Sequence, residues 1–259
     1  MTTPPGSTMD QASIDRAAHL LLAARRSREP LERLPEDCRP AKVEDAFRIQ
    51  AALVAQSGER VAGWKVGNVV DGHVTYGILL ASRVIASGGH VAAHDVPLLG
   101  MEAEIAFRFL RDAPPRTERY TYDEVAARVV AFPAIEIVAT RYCDYKGTPV
   151  IERMADCMSN GAFVVGDDQP RWRSFDLVDI VVTLQFGDKT IVQRRGGHVA
   201  GDPLQPAVDL VNELRTGSGV MAGQVMTTGT YTGLNFASAG ERIRAAFEGF
   251  GRVEVQVTA

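Results

Sequence analysis

Apolar positions recur at helical spacing only near the start of this chain, and from Val61 onward they fall into short runs with a period of two. Ile14, Ala17, Ala18, Leu21 and Leu22 predict a first helix, with Ser13 placed to cap it. Val43, Ala46, Phe47 and Val54 form one stripe of a second helix from Lys42 to about Gln56, with Gly58 past its end. Pro30, Pro35 and Pro40 forbid continuous helix between them. Residues 1 to about 10 read as a loose tail. Strands are expected at 61–67, 102–109, 129–138, 162–165, 179–186, 189–194, 224–228, 242–247 and 252–257. Gly187-Asp188 suits the hairpin turn between the fifth and sixth of these, and Val253, Val255 and Val257 alternate cleanly in the last. Helices interrupt the β region at Thr121-x-x-Glu124, a capping box, and at Thr148-Pro149 and Asp202-Pro203, each pairing an N-cap with a first-turn Pro. Residues 68–97 read as loop, with His73, His90 and His94 on the surface.

This order predicts an α+β fold rather than a doubly wound α/β sheet. The simplest division is a single unit, residues 1–259, with a helical portion over about 1–60 and a β-rich body over 61–259. Composition narrows the function only by exclusion. Net charge is −4 and the tightest basic cluster is Arg25, Arg26 and Arg28, so no nucleic-acid partner is expected. Cys38, Cys143 and Cys157 are odd in number and lack CxxC spacing, which argues against a disulfide framework or a sulfur-ligated zinc. With no apolar leader and no run of membrane-spanning length, no membrane partner is expected, and the cytoplasm is the expected compartment.

The chemistry concentrates in three segments. As a strand, Met101 to Phe109 sets Glu102 and Glu104 on one face and Ala103, Ile105 and Phe107 on the other. Like charges that close repel unless a cation sits between them, and hard carboxylate oxygens select Mg²⁺, Mn²⁺ or Ca²⁺ over zinc. A solvated acidic edge is the plain alternative. Ala131 to Val138 is apolar except for Glu136, which therefore needs a metal or a cationic partner, for which Arg141 is a candidate. Gly63-Trp-Lys-Val-Gly67 places Lys65 between glycines that permit close approach of a ligand or a second backbone. A lysine desolvated beside a metal can have its pKa lowered enough to exchange protons near neutrality, although an exposed edge lysine fits the same segment. Ser159-Asn-Gly161 and Thr228 to Gly233 can offer hydroxyl and N–H donors to a carboxylate, or be ordinary turns.

Taken together, Gly63-Trp-Lys-Val-Gly67, Glu102-Ala-Glu104, Pro133-Ala-Ile-Glu-Ile137, Ala155-Asp156 with Ser159-Asn-Gly161, the Gly229–Gly233 turn and Gly249 to Val255 resemble the 2-oxopent-4-enoate hydratase and 4-oxalocrotonate decarboxylase group of the fumarylacetoacetate hydrolase superfamily. The resemblance runs from about Ile14 to Val257. It implies a mixed β-roll core, a Mg²⁺ or Mn²⁺ ion held by Glu102, Glu104 and Glu136, Lys65 as an acid/base group, and a homo-oligomer. On that reading the substrate is a small 2-oxo acid, with Asp156 and Ser159 orienting substrate or water and Thr230 and Thr232 binding a carboxylate. Hydration of a 2-hydroxydienoate is the expected reaction. Decarboxylation of a 4-oxalocrotonate-type diacid is the alternative, and a non-catalytic binding or assembly protein is the reading from another class. Two positions depart from the family pattern: Thr75 stands where an acidic residue often precedes the aromatic-Gly pair, and Cys157 where Asn commonly follows the Asp.

Overall fold

A computed structural model describes residues 9–259, so most of the expected N-terminal tail lies outside the described residues. The described residues form five α-helices: α1 (Gln11–Ser27), α2 (Val43–Ser57), α3 (Tyr122–Ala126), α4 (Val150–Ala155) and α5 (Gln205–Leu214). The strands are β1 (Val61–Val70), β2 (His73–Leu80), β3 (Val84–Ala86), β4 (His90–Ala92), β5 (Gly100–Phe109), β6 (Val129–Val138) and β7 (Asn160–Val165), then β8 (Val181–Phe186), β9 (Lys189–Arg195), β10 (Val225–Thr230), β11 (Asn235–Phe236), β12 (Arg242–Phe247) and β13 (Gly251–Thr258). The α+β class is as expected, and no described helix is long and apolar enough to cross a membrane.

Helix starts follow local chemistry, with three corrections. Asp10, not Ser13, caps α1: its carboxylate accepts the Ser13 N–H at 2.7 Å, placing Ser13 inside the first turn. Thr121 and Glu124 form the expected capping box. At α4 the N-cap is Pro149, because the Thr148 hydroxyl donates back to the Asp144 carbonyl. Asp202 accepts the Leu204 N–H at 2.9 Å ahead of α5, whose first-turn proline is Pro206.

The expected loop 68–97 is corrected further. β1 runs on to Val70, turns at Asp71-Gly72 with φ of 50° and 82°, and returns as β2. Asp-Gly is the composition that such a two-residue turn requires, so the signal was present in the sequence. His73 is not a lone surface group: its ring nitrogens meet Glu213 at 2.9 Å and Glu44 at 3.3 Å.

The larger sheet runs β2-β1-β10-β5-β6-β7-β3, with β11 on β5; β1–β10 and β3–β7 are parallel and the other pairs antiparallel. The smaller sheet runs β4-β13-β12-β8-β9 and packs on β6 and β7. The larger sheet curls until β2 touches β7, five strands along its path. One face joins the main core with α1, α2 and the smaller sheet. The enclosed face holds a separate apolar cluster of Leu79, Ala106, Phe132, Ala134, Phe163 and Val225. By strand alternation Lys65, Glu102, Glu104 and Glu136 share that enclosed face, so the apolar cluster seals the bottom of a roll and the ionisable groups lie nearer its mouth.

Two contacts fix the roll's geometry. The buried Gln50 side chain donates to the Tyr76 and Met154 carbonyls, both at 2.8 Å, and accepts the Ile78 N–H at 2.9 Å, tying α2 to β2 and α4. A Cβ on Gly63 would stand 1.9 Å from the Val225 carbonyl oxygen, so β1 and β10 pair closely only because Gly63 has none. Gly63→Ala is therefore expected to destabilise the protein by at least the roughly 1–3 kcal/mol of an overpacked core. A lowered midpoint in thermal or urea unfolding checks this, and an unchanged midpoint contradicts it.

Candidate metal centre

In the register of β5 on β6, Glu102 lies directly opposite Glu136, and Glu104 is two residues along on the same face. One carboxylate oxygen from each of the three comes within 4.8 Å of the others. Glu104 and Glu136 are buried and Glu102 is half-buried, so the cluster opens to solvent on the Glu102 side.

The cation that meets Glu136 is Lys65, 2.5 Å from it, rather than Arg141. The Lys65 ammonium also donates to the Met158 carbonyl at 3.2 Å. Glu104 accepts hydrogen bonds from the Thr227 hydroxyl and from the Gly229 N–H, the latter at 3.3 Å. Three carboxylates thus face one ammonium in a poorly hydrated space. Burial, reinforced by Glu136, pushes Glu102 up to about 7, and burial with both neighbouring carboxylates pushes Glu104 well above the usual range. Burial pulls Lys65 down, but the fields of Glu136, Glu102 and Glu104 outweigh it and hold the ammonium above its ordinary value. The expected lowering of Lys65 is therefore not found in the metal-free cluster. The oxygen-only donor set and its excess of negative charge fit a hard divalent cation, which would relieve the repulsion that raises both pKa values.

The remaining expected site residues have separate positions. Asp156 is fully buried and held by Arg141, whose Nε lies 2.6 Å from its carboxylate and whose backbone N–H reaches the second oxygen at 3.3 Å. A carboxylate clamped in this way is not free to orient water. Asp156 instead anchors the next three residues, Cys157, Met158 and Ser159, at φ of 48°, 52° and 59°. Each left-handed non-glycine residue costs about 1–2 kcal/mol, so this turn persists only because its surroundings hold it. The Ser159 hydroxyl is buried with no hydrogen-bond partner among the described residues. Thr230 accepts the N–H groups of Thr232 and Gly233 at 3.0 Å, and Thr232 accepts the Ala103 N–H at 3.0 Å. Both hydroxyls thereby stitch the Gly229–Gly233 turn to the backbone between Glu102 and Glu104.

Sequence reasoning missed Thr227 and the Met158 carbonyl, which only the strand register and the left-handed turn bring to the site, whereas the Gly229 N–H lies in the stretch expected to offer donors to a carboxylate and meets that of Glu104. It also passed over His198, packed edge-on to Tyr231 behind Gly229 and accepting the Ala200 N–H at 3.2 Å. Burial pushes His198 down to about 4, against the opposing pull of the Gly229 backbone, so this ring is neutral at physiological pH.

No family-level profile matches the chain. It is 31% identical to 2-keto-4-pentenoate hydratase 2 of Dechloromonas aromatica over 252 residues, covering 92% of this chain and 94% of that protein. It is 30% identical to the 2-hydroxyhexa-2,4-dienoate hydratase of Comamonas testosteroni over 264 residues, covering 96% and 99%. Its fold matches the 4-oxalocrotonate decarboxylase of Pseudomonas putida G7, solved with magnesium and adipate, with a TM-score of 0.81 at 20% identity over 97% of this chain and 100% of that one. A more distant match is fumarylpyruvate hydrolase from Pseudomonas aeruginosa, solved with Mn²⁺ and pyruvate, with a TM-score of 0.56 at 15% identity over 77% and 90%.

The raised carboxylates set a pH dependence. Glu102 and Glu104 bind protons more tightly in the folded chain than in the unfolded one, so metal-free stability falls as pH rises from the ordinary Glu value near 4.5 through about 7. A divalent ion must displace those protons, so its affinity rises over the same window, about tenfold per pH unit for each proton displaced. Unfolding midpoints at pH 5–8 with chelator and with Mn²⁺ are expected to diverge as pH rises. Parallel curves would contradict the cluster's assignment as a metal site, as would Glu104→Gln protein that keeps wild-type Mn²⁺ affinity by calorimetry.

Proposed function

Because the chain belongs to the 2-keto-4-pentenoate hydratase family, we propose that it is a metal-dependent hydro-lyase adding water to a short 2-hydroxydienoate to give a 4-hydroxy-2-oxo acid. The observation that carries this reading is the near end-to-end similarity, at 31% identity, to a hydratase. Glu102, Glu104 and Glu136 would hold Mg²⁺ or Mn²⁺. When bound, the ion supplies a Lewis acid for the substrate's carboxylate and C2 oxygen, where negative charge develops.

The chain's own groups divide the remaining tasks. Thr227 and the Gly229 N–H fix the Glu104 carboxylate, so the ligand does not reorient when it takes up charge. Lys65 is the group we assign to carry protons, since the three glutamates would be committed to the metal when it is bound while the ammonium keeps its protons. Its Nζ passes a proton to C5 of the dienol while the 2-hydroxyl gives one up, which yields the 2-oxo-3-enoate. Water then adds at C4, C3 takes up a proton, and the unpartnered Ser159 hydroxyl is the group we assign to orient that water. The apolar floor of the roll excludes bulk water beneath the reacting carbons.

Decarboxylation of a diacid would need a second cation for the far carboxylate. Among the described residues Lys65 is the cation ion-paired to the cluster, and it is already committed to Glu136. Assembly into a homo-oligomer, which the family resemblance implies, belongs to the same proposal. Light scattering tests it, and a monomer at micromolar concentration would sink it.

Purified protein with Mg²⁺ or Mn²⁺ is expected to bleach the chromophore of 2-hydroxypenta-2,4-dienoate without releasing CO₂. CO₂ from 2-oxohex-3-enedioate, with the dienoate untouched, would reverse the assignment. Lys65→Met is expected to lower kcat by about 10²–10⁴-fold. Because it leaves Glu136 without its cation, it is also expected to destabilise the metal-free protein, with the deficit narrowing once metal is added. An activity loss no larger than the stability loss would mark Lys65 as structural.

A further inference from the structure

The geometry of the roll's mouth points to what the far end of the substrate meets. β1 and β5 are separated by the single strand β10, and adjacent strands lie about 5 Å apart, so the backbone that carries Glu102 and Glu104 stands roughly 10 Å from β1. The Lys65 ammonium crosses that gap to Glu136, so an acid with its head at the carboxylates and C5 at Lys65 turns any further carbon towards the β1 side, where the Met158 carbonyl meets the same ammonium. The β1 residue beside it is Gly67, on the same face as Lys65 and two positions nearer the mouth.

The space over Gly67 is not open. A Cβ there would lie 2.4 Å from the Met158 terminal methyl, 3.1 Å from its sulfur and 2.4 Å from the Thr75 hydroxyl. Met158 is half-buried while its neighbours Cys157 and Ser159 are buried, so of this turn Met158 has the most side-chain surface to offer a ligand's tail. Its backbone is pinned twice: by the left-handed conformation and by the Lys65 ammonium on its carbonyl. Gly77 allows this, since a Cβ there would stand 2.2 Å from the Cys157 carbonyl oxygen. The Thr75 hydroxyl, which lies over Gly67, is buried and already donated to the Asn68 carbonyl at 2.7 Å. The wall beyond Lys65 is thus a thioether and a glycine, backed by a hydroxyl whose proton is committed, with no charge among them.

We propose that Met158, backed by Thr75 across Gly67, sets the length and polarity of the substrate's distal end: short, apolar and uncharged. This rests on the hydratase reading above, and the two can fail separately. The probe is the ratio of kcat/KM for 2-hydroxyhexa-2,4-dienoate over 2-hydroxypenta-2,4-dienoate, in the presence of Mn²⁺. Trimming the methionine makes room for the extra methyl, and one methyl in an apolar pocket changes discrimination by about tenfold or more. Met158→Ala is expected to raise the ratio by at least about tenfold, and Met158→Leu, similar in volume, to hold it within about twofold. Thr75→Ile, which adds bulk on the same wall, is expected to lower the ratio, and it keeps the test alive if the altered turn fails to fold. A ratio unmoved by Met158→Ala in protein that still turns over the pentadienoate overturns the inference and leaves the hydratase reading standing. An unmoved ratio in Thr75→Ile does the same. Wild-type protein inert towards every dienoate overturns both.

Discussion

Three carboxylates packed around one ammonium, inside a curled sheet, is the arrangement on which the rest of this molecule depends. Taking that much negative charge out of water is unfavourable by several kcal/mol for each unpaired ion, and the fold offsets it in stages. Lys65 neutralises Glu136, while the Thr227 hydroxyl and the Gly229 N–H bond to Glu104. The remaining repulsion appears as protons held on Glu102 and Glu104 at pH values where glutamates are normally ionised. A cluster left in that condition by its own fold has the charge and the oxygen donors that suit a doubly charged ion.

The supporting structure reads as a series of devices for keeping those four side chains aligned. Gly63 brings β1 against β10, which delivers Lys65 to the carboxylates. Gln50 holds α2, β2 and the end of α4 at once, and so carries the 157–159 turn against Gly77 and Lys65. The buried Arg141–Asp156 pair closes the back of that turn. None of these groups belongs to the carboxylate cluster, yet each sets where a residue of that cluster, or its lysine, can stand.

Much of this was legible in the sequence, and the limits have physical causes. Alternation along Met101–Phe109 showed that Glu102 and Glu104 share a face, and the apolar run around Glu136 showed that its charge needed a partner. Both are local facts about one strand. Which cation answers Glu136 is a matter of register between β1, β10, β5 and β6, and sequence proximity favoured Arg141 over the correct Lys65. Asp156 looked reactive because a motif places it near the site, but its carboxylate faces Arg141, a contact between side chains 15 positions apart. The β1–β2 hairpin was missed for a different reason: Asn68 to Thr75 is polar enough to read as loop, and the Asp71-Gly72 turn signal was outweighed. The left-handed turn at 157–159 has no glycine to announce it, so only tertiary packing could reveal it.

The parallel pairing of β1 with β10 has a further consequence for how the molecule comes into being. Lys65 registers against Thr227, 162 positions further along the chain, although β1 and β10 are direct neighbours in the sheet. A contact closing so long a loop forms slowly, because the chain entropy is lost before the contact returns any stability. On a ribosome, the helical N-terminal part and the β5–β6–β7 meander can organise early, with Glu102, Glu104 and Glu136 already side by side. Their neutralising lysine then waits for β10. Until that strand arrives the nascent chain holds an acidic cluster without its counter-charge, so one strand made late in synthesis completes the carboxylate–lysine cluster as well as the sheet.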